Sequence, residues 1–101
     1  MARIVSILWD PEDDEEGNFW HIVIEGHGVS QEEVDEILFN PNNPTVWSRS
    51  DGGWITFGWT TAGNYLGVVW EEALEDPLTA RPITAYPTPP PSDRTKKGKR
   101  R

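Results

Sequence analysis

Cysteine is absent from the 101 residues of this sequence, and its absence excludes both a disulfide framework and a thiolate metal site. Long apolar runs are also absent, and the stretch from Ile4 to Trp9 is too short for a membrane span or a signal peptide. A chain of this length holds one hydrophobic core, so its stability must come from packing. We therefore expect a single cytoplasmic domain with no membrane segment.

Basic residues are scarce over most of the chain. Through Ser92 the sequence has 16 acidic and 3 basic residues, a net charge of −13, whereas residues 93–101 have 6 basic residues and 1 acidic residue. Because an acidic domain repels a phosphate backbone, the candidates for nucleic-acid contact lie in the tail: Arg94, Lys96, Lys97, Lys99, Arg100 and Arg101. The alternative is a solvated basic end that folds back onto the acidic surface. We expect a domain at residues 1–87 and a disordered tail, Pro-rich and then basic, at residues 88–101.

The clearest local signal is a helix start at Ser30. Ser30 followed by Glu33 is a capping box, in which the hydroxyl accepts from a free helix amide and the carboxylate accepts from the amide of the cap. Behind it, Val34, Ile37 and Leu38 form an apolar stripe on an acidic helix. The sequence therefore predicts a helix that begins after Ser30 and packs against a sheet.

Two further elements are predicted before this helix. The residues from Ile4 to Trp9 are typical of a strand, with Val5, Ile7 and Trp9 on one face. The segment Asn18–Glu25 favours a short helix, with a strand as the alternative because of its β-branched residues. The inward side chains of that helix would be Phe19, Ile22 and Val23.

Strands are predicted after the break at Asn40–Pro44, where proline ends the helix. These strands are Thr45–Ser50, Trp54–Thr60, Tyr65–Trp70 and Arg81–Tyr86. Alternation predicts core faces made of Ile55, Phe57 and Trp59 and of Leu66, Val68 and Trp70. We expect a polar loop at Glu71–Ala80, and Pro82 to confine the last strand to an edge or to its first positions. The fold class is α+β, with one or two N-terminal helices packed on a small, mostly antiparallel sheet.

The tryptophans divide into two predicted groups. Trp9, Trp59 and Trp70 fall on predicted core faces, whereas Trp47 and Trp54 fall on or beside the face opposite the core. Exposed aromatic rings beside an arginine, here Arg49, are common at protein interfaces. A base-stacking platform for nucleic acid would need interleaved cations, which this stretch lacks. The sequence therefore predicts that Trp47 and Trp54 bind a protein partner, and a basic partner would suit the acidic surface.

No metal or other cofactor is predicted. If Asn18–Glu25 is helical, His21 and Glu25 share a face at i and i+4. His27 falls off that face, so a third ligand is missing, and zinc needs at least three protein ligands.

Several short sequence motifs along the chain occur in the order and spacing of a known family. They are Trp9-Asp10, Asn18, His21, His27-Gly28-Val29, Glu32-Glu33-Val34, Phe57-Gly58, Ala62-Gly63-Asn64-Tyr65-Leu66, Val68-Val69 and Ile83-Thr84-Ala85. Over about residues 4–86 the chain resembles the BrnT-like toxins. The resemblance implies a RelE-like fold and a small cytoplasmic ribonuclease of a bacterial type II toxin–antitoxin system, inhibited by a cognate antitoxin.

The chain departs from that family at three cationic positions. Gly26 stands where the family commonly has lysine, Trp54 where an arginine often opens a strand, and Tyr86 where the last strand usually ends in arginine. Metal-free RNA cleavage needs a base, an acid and a cation or donors for the phosphate charge. The remaining catalytic candidates are His21 and His27 as acid or base, Arg49 and Arg81 as phosphate clamps, and Tyr86 as a donor.

Each catalytic candidate also has a structural interpretation. The histidines are typical of a packed side chain and a turn residue, and the arginines of partners for abundant carboxylates. Two functions therefore stay open: a toxin-like ribonuclease that acts on RNA, and a non-catalytic acidic module that keeps the fold and binds a protein. The sequence predicts no oligomeric state.

Overall fold

The computed structural model describes residues 3–91. In chain order its elements are β1 (Ser6–Ile7), α1 (Trp20–Ile24), α2 (Gln31–Phe39), β2 (Thr45–Ser48), β3 (Gly53–Trp59), β4 (Tyr65–Glu75) and β5 (Leu78–Pro87). The α+β class predicted from the sequence is confirmed. Neither helix within residues 3–91 is long and apolar enough to cross a membrane.

The strands form one five-stranded mixed sheet in the order β1-β5-β4-β3-β2. The four strands from β2 to β5 pair antiparallel as successive hairpins, and the short β1 pairs parallel with β5. The short connections explain this order, because antiparallel neighbours need only a tight turn whereas a parallel pair needs a long crossover. Helices α1 and α2 lie within the crossover from β1.

Helix α2 begins as the capping box predicts. The backbone N–H of Glu33 donates to Ser30 Oγ at 3.1 Å, and the Ser30 N–H donates to Glu33 Oε1 at 3.2 Å. Val34, Ile37 and Leu38 are buried against the sheet, which confirms the predicted apolar stripe. At the C-terminal end of α2, the Asn43 side-chain amide donates to the carbonyl oxygen of Ile37 at 2.9 Å.

Helix α1 confirms a helix rather than a strand after Asn18. It is a π-helix, in which the Glu25 N–H donates to the Trp20 oxygen at 2.9 Å. Ile22 is buried, and Val23 is half-buried against the core. Phe19, just before the helix, is half-buried, and its ring meets the Trp9 ring edge-on at 6.0 Å.

A polar joint ties the start of α1 to the sheet. The buried Asn18 side chain accepts from the Asp10 N–H at 2.8 Å and donates to the carbonyls of Leu8 and Pro82 at 3.0 Å. Asp10 returns a bond by accepting from the Asn18 N–H at 2.8 Å. Because a buried amide must keep its partners, this joint fixes where α1 enters the fold.

The sheet has a helix face and an outer face. On the helix face Leu66, Val68 and Trp70 are buried, as predicted. The strand pairing places Thr56 opposite Val68 and Gly58 opposite Leu66. The helix face of β3 is therefore made of Trp54, Thr56 and Gly58, and Ile55, Phe57 and Trp59 lie on the outer face.

The predicted core face of β3 is therefore wrong. Trp59 is 53% exposed, so its assignment to the core is also wrong, although Ile55 is buried on the outer face. The reason is space, since small residues are needed where α2 and its following loop approach β3. At Gly58 an added Cβ would lie 2.3 Å from the Asn43 amide nitrogen. Val5, expected inward on β1, is also exposed.

The predicted polar loop at Glu71–Ala80 is also wrong, because β4 and β5 continue through most of it as a hairpin that projects beyond the core. Residues 71–77 are exposed, but Leu78 and Ala80 are buried beside β1. Strand β5 lies inside the sheet and Pro82 is its fifth residue, contrary to the prediction of an edge strand or of a proline at the first positions. A register shift between Val69 and Trp70 meets Pro82 and accommodates a residue without an N–H.

Candidate functional site

Three tryptophan rings cross the helix face from β2 to β4. Trp47 pairs with Trp54, with ring centroids 5.0 Å apart and edge-on, and Trp54 pairs with Trp70 at 6.3 Å in a stacked arrangement. Trp70 is buried, Trp54 is half-buried and Trp47 is 56% exposed. The rings therefore lead from the core to the surface, and Trp54, stacked on the buried Trp70, packs against Trp47 at the edge of the sheet.

The prediction for Trp47 and Trp54 is corrected in one respect. Both rings lie on the helix face, not opposite the core, and Trp54 packs against the core cluster. Trp47 is exposed on the outermost strand, and the main strand contacts of α2 are with β3 and β4. The partner-binding assignment itself stays a prediction.

Strand β2 is a free edge of the sheet within residues 3–91. The Phe57 N–H donates to the Pro44 oxygen at 3.0 Å, so hydrogen-bonded pairs alternate from that point along β2 and β3. Val46 and Ser48 therefore bond to β3, and the N–H and C=O groups of Thr45 and Trp47 point away from it. The edge presents backbone donors and acceptors beside an exposed ring.

The turn after β2 places Arg49 next to this edge. Ser48 Oγ donates to Asp51 Oδ2 at 2.7 Å and accepts from the Asp51 N–H at 3.2 Å, and Gly52 supplies the positive φ of 68° that the turn needs. Arg49 is exposed and has no ion pair within the described residues. It is therefore an accessible cation two residues along the chain from the exposed Trp47.

Arg81 occupies the polar joint instead of an open site. Its Nη2 donates to Asp10 Oδ2 at 2.8 Å, and its Nη1 lies 3.8 Å from Glu71 Oε2. The carboxylate of Asp10 also accepts from Asn18. The contacts of Arg81 are those of a structural residue that links β5 to the start of α1.

The two histidines lie in the helical layer. His21 is exposed on α1, and His27 is exposed in the loop between α1 and α2, before Gly28 at φ 80°. Gly26 cannot carry the lysine that the BrnT-like resemblance implies there, because an added Cβ would lie 2.1 Å from the Ile22 carbonyl oxygen. The π-helical end of α1 therefore requires glycine where the family has a cation.

Tyr86 lies on the outer face, beside Gly67. Burial raises the pKa of the Tyr86 phenol and the nearby charge of Asp51 raises it further, so the hydroxyl stays a hydrogen-bond donor at neutral pH. The helices pack on the other side of the sheet. Tyr86 is therefore separated from His21 and His27 by the sheet itself.

The five catalytic candidates do not form one constellation within the described residues. Arg49 follows β2 and Arg81 lies on β5, with β3 and β4 between them, a separation of about 14 Å at the usual strand spacing. Acid, base and phosphate clamp must all reach one phosphate, so this placement gives no support to joint action. Each of these side chains instead lies in a separate local environment.

A small cleft at the end of α2 was missed by the sequence reasoning. It has a volume of about 80 Å³, and its lining includes Arg3, Thr45, Thr56 and Trp70. Trp70 Nε1 donates to Thr56 Oγ1 at 2.9 Å, and the Thr56 and Thr45 hydroxyl oxygens lie 2.7 Å apart. This chain of polar contacts fixes Thr45 at the start of the free edge. Pro44 directly before a strand was the available signal, because proline favours edge positions.

Other predicted sites can be placed only in part. No three His, Asp or Glu side chains within residues 3–91 cluster in a way that would hold a metal ion. The tail residues predicted to contact nucleic acid, Arg94, Lys96, Lys97, Lys99, Arg100 and Arg101, lie outside the described residues.

Comparison of the chain with models of protein families, with curated proteins and with solved structures finds no significant match. Any function must therefore be argued from the residues themselves.

Proposed function

We propose that this chain is a non-catalytic, acidic module that binds a basic protein partner at the edge of β2. The observation that supports it best is the conjunction of the exposed Trp47 ring with the outward backbone groups of Thr45 and Trp47. An extended segment that adds to a sheet edge gains main-chain hydrogen bonds, and pockets for alternate side chains give it specificity.

The partner is basic because of the charge of the domain. Residues 3–91 contain 16 acidic and 3 basic residues, and of the three cations Arg81 is already paired. Opposite charge on a partner accelerates encounter and disfavours wrong partners, including a second copy of this acidic chain. The same charge opposes RNA binding by the described residues.

Trp47 is the anchor of the proposed interface. Interface energy concentrates in a few aromatic and arginine residues, and Trp47 with Arg49 supplies both types beside one strand. Trp54 meets Trp47 edge-on and is itself stacked on Trp70, so part of the freedom of the Trp47 ring is already restricted before binding.

Photo-crosslinking in the native host tests this edge. A photoreactive residue at Val46, which is exposed on β2, should capture a basic protein, and Trp47→Ala should reduce the yield about tenfold because the anchor is removed. A photoreactive residue at Leu74, equally exposed on the far hairpin, is the control position and should not capture that protein.

Two substitutions of Thr45 separate backbone pairing from side-chain contact. Thr45→Pro removes an outward N–H without breaking the ladder to β3, whereas Thr45→Val removes only the hydroxyl. We expect Thr45→Pro to lose most of the crosslink and Thr45→Val to keep it, with circular dichroism showing that both fold. Equal yields from the two variants would refute strand addition, and no product at Val46 would refute the interface.

The second candidate is a toxin-like ribonuclease with a RelE-like fold and a cognate antitoxin. It is supported by the BrnT-like motifs of the sequence and by the order of the elements, in which two helices precede a series of antiparallel strands. On this hypothesis the purified chain cleaves RNA without added metal, and His21→Ala with His27→Ala abolishes cleavage in a folded protein. Cleavage that survives both substitutions would remove the histidines from the hypothesis.

A further inference from the structure

The outer face of the sheet carries a continuous aromatic surface, formed by Phe57, Trp59, Tyr65 and Tyr86. The rings of Phe57 and Tyr65 are nearly parallel, at 9°, with centroids 6.5 Å apart. Trp59 meets Tyr65 edge-on at 5.2 Å. Both described helices lie on the other side of the sheet, so neither covers these rings.

Gly67 lets two of these rings come close together. A Cβ added at Gly67 would lie 3.1 Å from the Tyr86 ring and 3.2 Å from the Phe57 ring. The rings of β3 and β5 therefore close over the glycine of β4 and join the aromatic residues of three strands into one surface. The row ends at Trp59, which is more than half exposed.

A proline-rich piece of the chain already rests on one end of this surface. The Thr88 N–H donates to the Tyr65 oxygen at 3.1 Å, which continues the β4–β5 ladder by one pair. Thr88, Pro89 and Pro91 then line a half-open pocket of about 370 Å³ together with Pro44, Phe57 and Tyr65. The segment therefore runs from the end of β5 toward Pro44, and among the described residues its side chains leave this pocket open.

This contact has the chemistry of polyproline recognition. Proline has no N–H, so a proline run offers rings and carbonyl oxygens in place of a strand ladder. Aromatic grooves bind such runs with little ordering cost, because the polyproline II helix is already extended. Tyr86, as a neutral phenol, supplies a donor for a proline-run carbonyl.

Within residues 3–91, the row of rings extends beyond Thr88–Pro91. Trp59 and Tyr86 continue the row at its two sides and are not among the described residues that line the pocket under the proline run. The charge of Asp51, in the β2–β3 turn, acts on the Tyr86 phenol, and residues 3–91 have a net charge of −13. This part of the row therefore suits a proline-rich ligand that also carries basic residues.

We propose that the outer aromatic face is a binding site for a basic, proline-rich segment of another protein, which adopts polyproline II conformation and competes with Thr88–Pro91 for Phe57 and Tyr65. This site lies on the opposite side of the sheet from the Trp47 ring and is independent of the strand addition proposed for β2.

A fluorescent decaproline peptide flanked by lysines is the probe, and the full chain is the receptor. We expect saturable binding by fluorescence anisotropy, about tenfold tighter than that of a peptide of equal length and charge with glycine and serine in place of proline, because proline loses less conformational freedom. Equal affinity for the two peptides would overturn the proposal, since charge alone would then explain binding.

Matched variants locate the site. Trp59→Ala should weaken binding of the decaproline peptide about fivefold, whereas Phe39→Ala, which removes an exposed ring at the end of α2, should leave it within about twofold. Pro89→Ala combined with Pro91→Ala should tighten binding, because the competing segment of the chain is weakened.

Backbone amide NMR shifts decide which surface is used. We expect the peptide to perturb Phe57, Trp59, Tyr65 and Tyr86. Perturbation confined to β2 would overturn this site while leaving the proposed edge interface standing, and peptide-induced dimers would assign the face to a second copy instead. Absence of proline-dependent binding at millimolar peptide, in the chain and in the double proline variant, would overturn the proposal outright.

Discussion

The two faces of the sheet carry similar side chains but differ in what covers them. The helix face has Trp54, Val68 and Trp70 under α1 and α2, and the outer face has Phe57 and Trp59 with no described helix above them. Aromatic residues are therefore no guide to the core of this domain. Among the described residues, cover by the helices distinguishes the buried Trp70 from the exposed Trp59.

Small residues reveal the covered face better than large ones do. Thr56 and Gly58 face the helix layer on β3, where the Asn43 side chain lies against Gly58 and a hydroxyl meets Trp70 Nε1. A bulky side chain at either position would push α2 and its loop away from the sheet. The aromatic residues of β3 are consequently left for the other side.

The largest expected effect is on the free energy of unfolding when the covered core is emptied. Ile37→Ala, at a side chain with 0% exposure, should lower it by about 3 kcal/mol because a cavity is left. Trp59→Ala should lower it by about 1 kcal/mol or less, since that ring is partly in water. Urea unfolding of both variants measures the contrast, and equal losses would erase the distinction between the faces.

A smaller effect is expected where α2 meets β3. Gly58→Ala should lower the free energy of unfolding by about 1–2 kcal/mol, because the new methyl group displaces Asn43 from the Ile37 carbonyl. The double-mutant cycle with Asn43→Ala sharpens the test, since the cost of Gly58→Ala should nearly vanish once the amide is gone. Strictly additive losses would show that Gly58 matters for another reason.

The smallest effect is a pH dependence at the tie between α2 and the β3–β4 hairpin. The Asn64 side chain, which donates to Glu33 Oε2 at 2.8 Å, and the Ser30 contacts hold the pKa of Glu33 below its ordinary value of 4.5. The carboxylate therefore contributes stability above pH 4.5, and this is lost as pH falls through the lower folded-state pKa.

Glu33→Gln should reduce the dependence of stability on pH in this acid range. The control Glu15→Gln, at an exposed loop carboxylate, should leave that dependence unchanged. Thermal unfolding between pH 3 and pH 6 provides the measurement, at about half-unit steps. A Glu33→Gln curve parallel to that of the native chain would show that the tie is not sensitive to charge.

Local signals predicted much of the fold. The capping box and the apolar stripe gave α2 correctly, because both depend on residues within two helical turns. The predicted core face of β3 was wrong because the alternation of side chains identifies two faces of a strand without showing which one the helices cover. A five-residue link between Trp59 and Tyr65 pairs Gly58 with Leu66, so the predicted core faces of β3 and β4 were mutually exclusive.

The candidate site was less predictable, because it depends on long-range placement. The sequence predicted Trp47 as a candidate partner-binding residue but could not show that β2 is an edge of the described sheet, because an edge is a property of the whole sheet. The ion pair between Arg81 and Asp10 joins residues far apart in the chain, and no local pattern indicates it. The outer aromatic face was not predicted, because two of its four rings, Phe57 and Trp59, were assigned to the core.

We propose that the chain binds proteins through surfaces that the described helices leave open and does not cleave RNA. Controlled induction in bacteria, with growth and total RNA integrity as readouts, separates these two functions. We expect normal growth and intact RNA from a folded chain. Growth arrest with RNA loss, relieved by His21→Ala or His27→Ala in proteins that still fold, would contradict it.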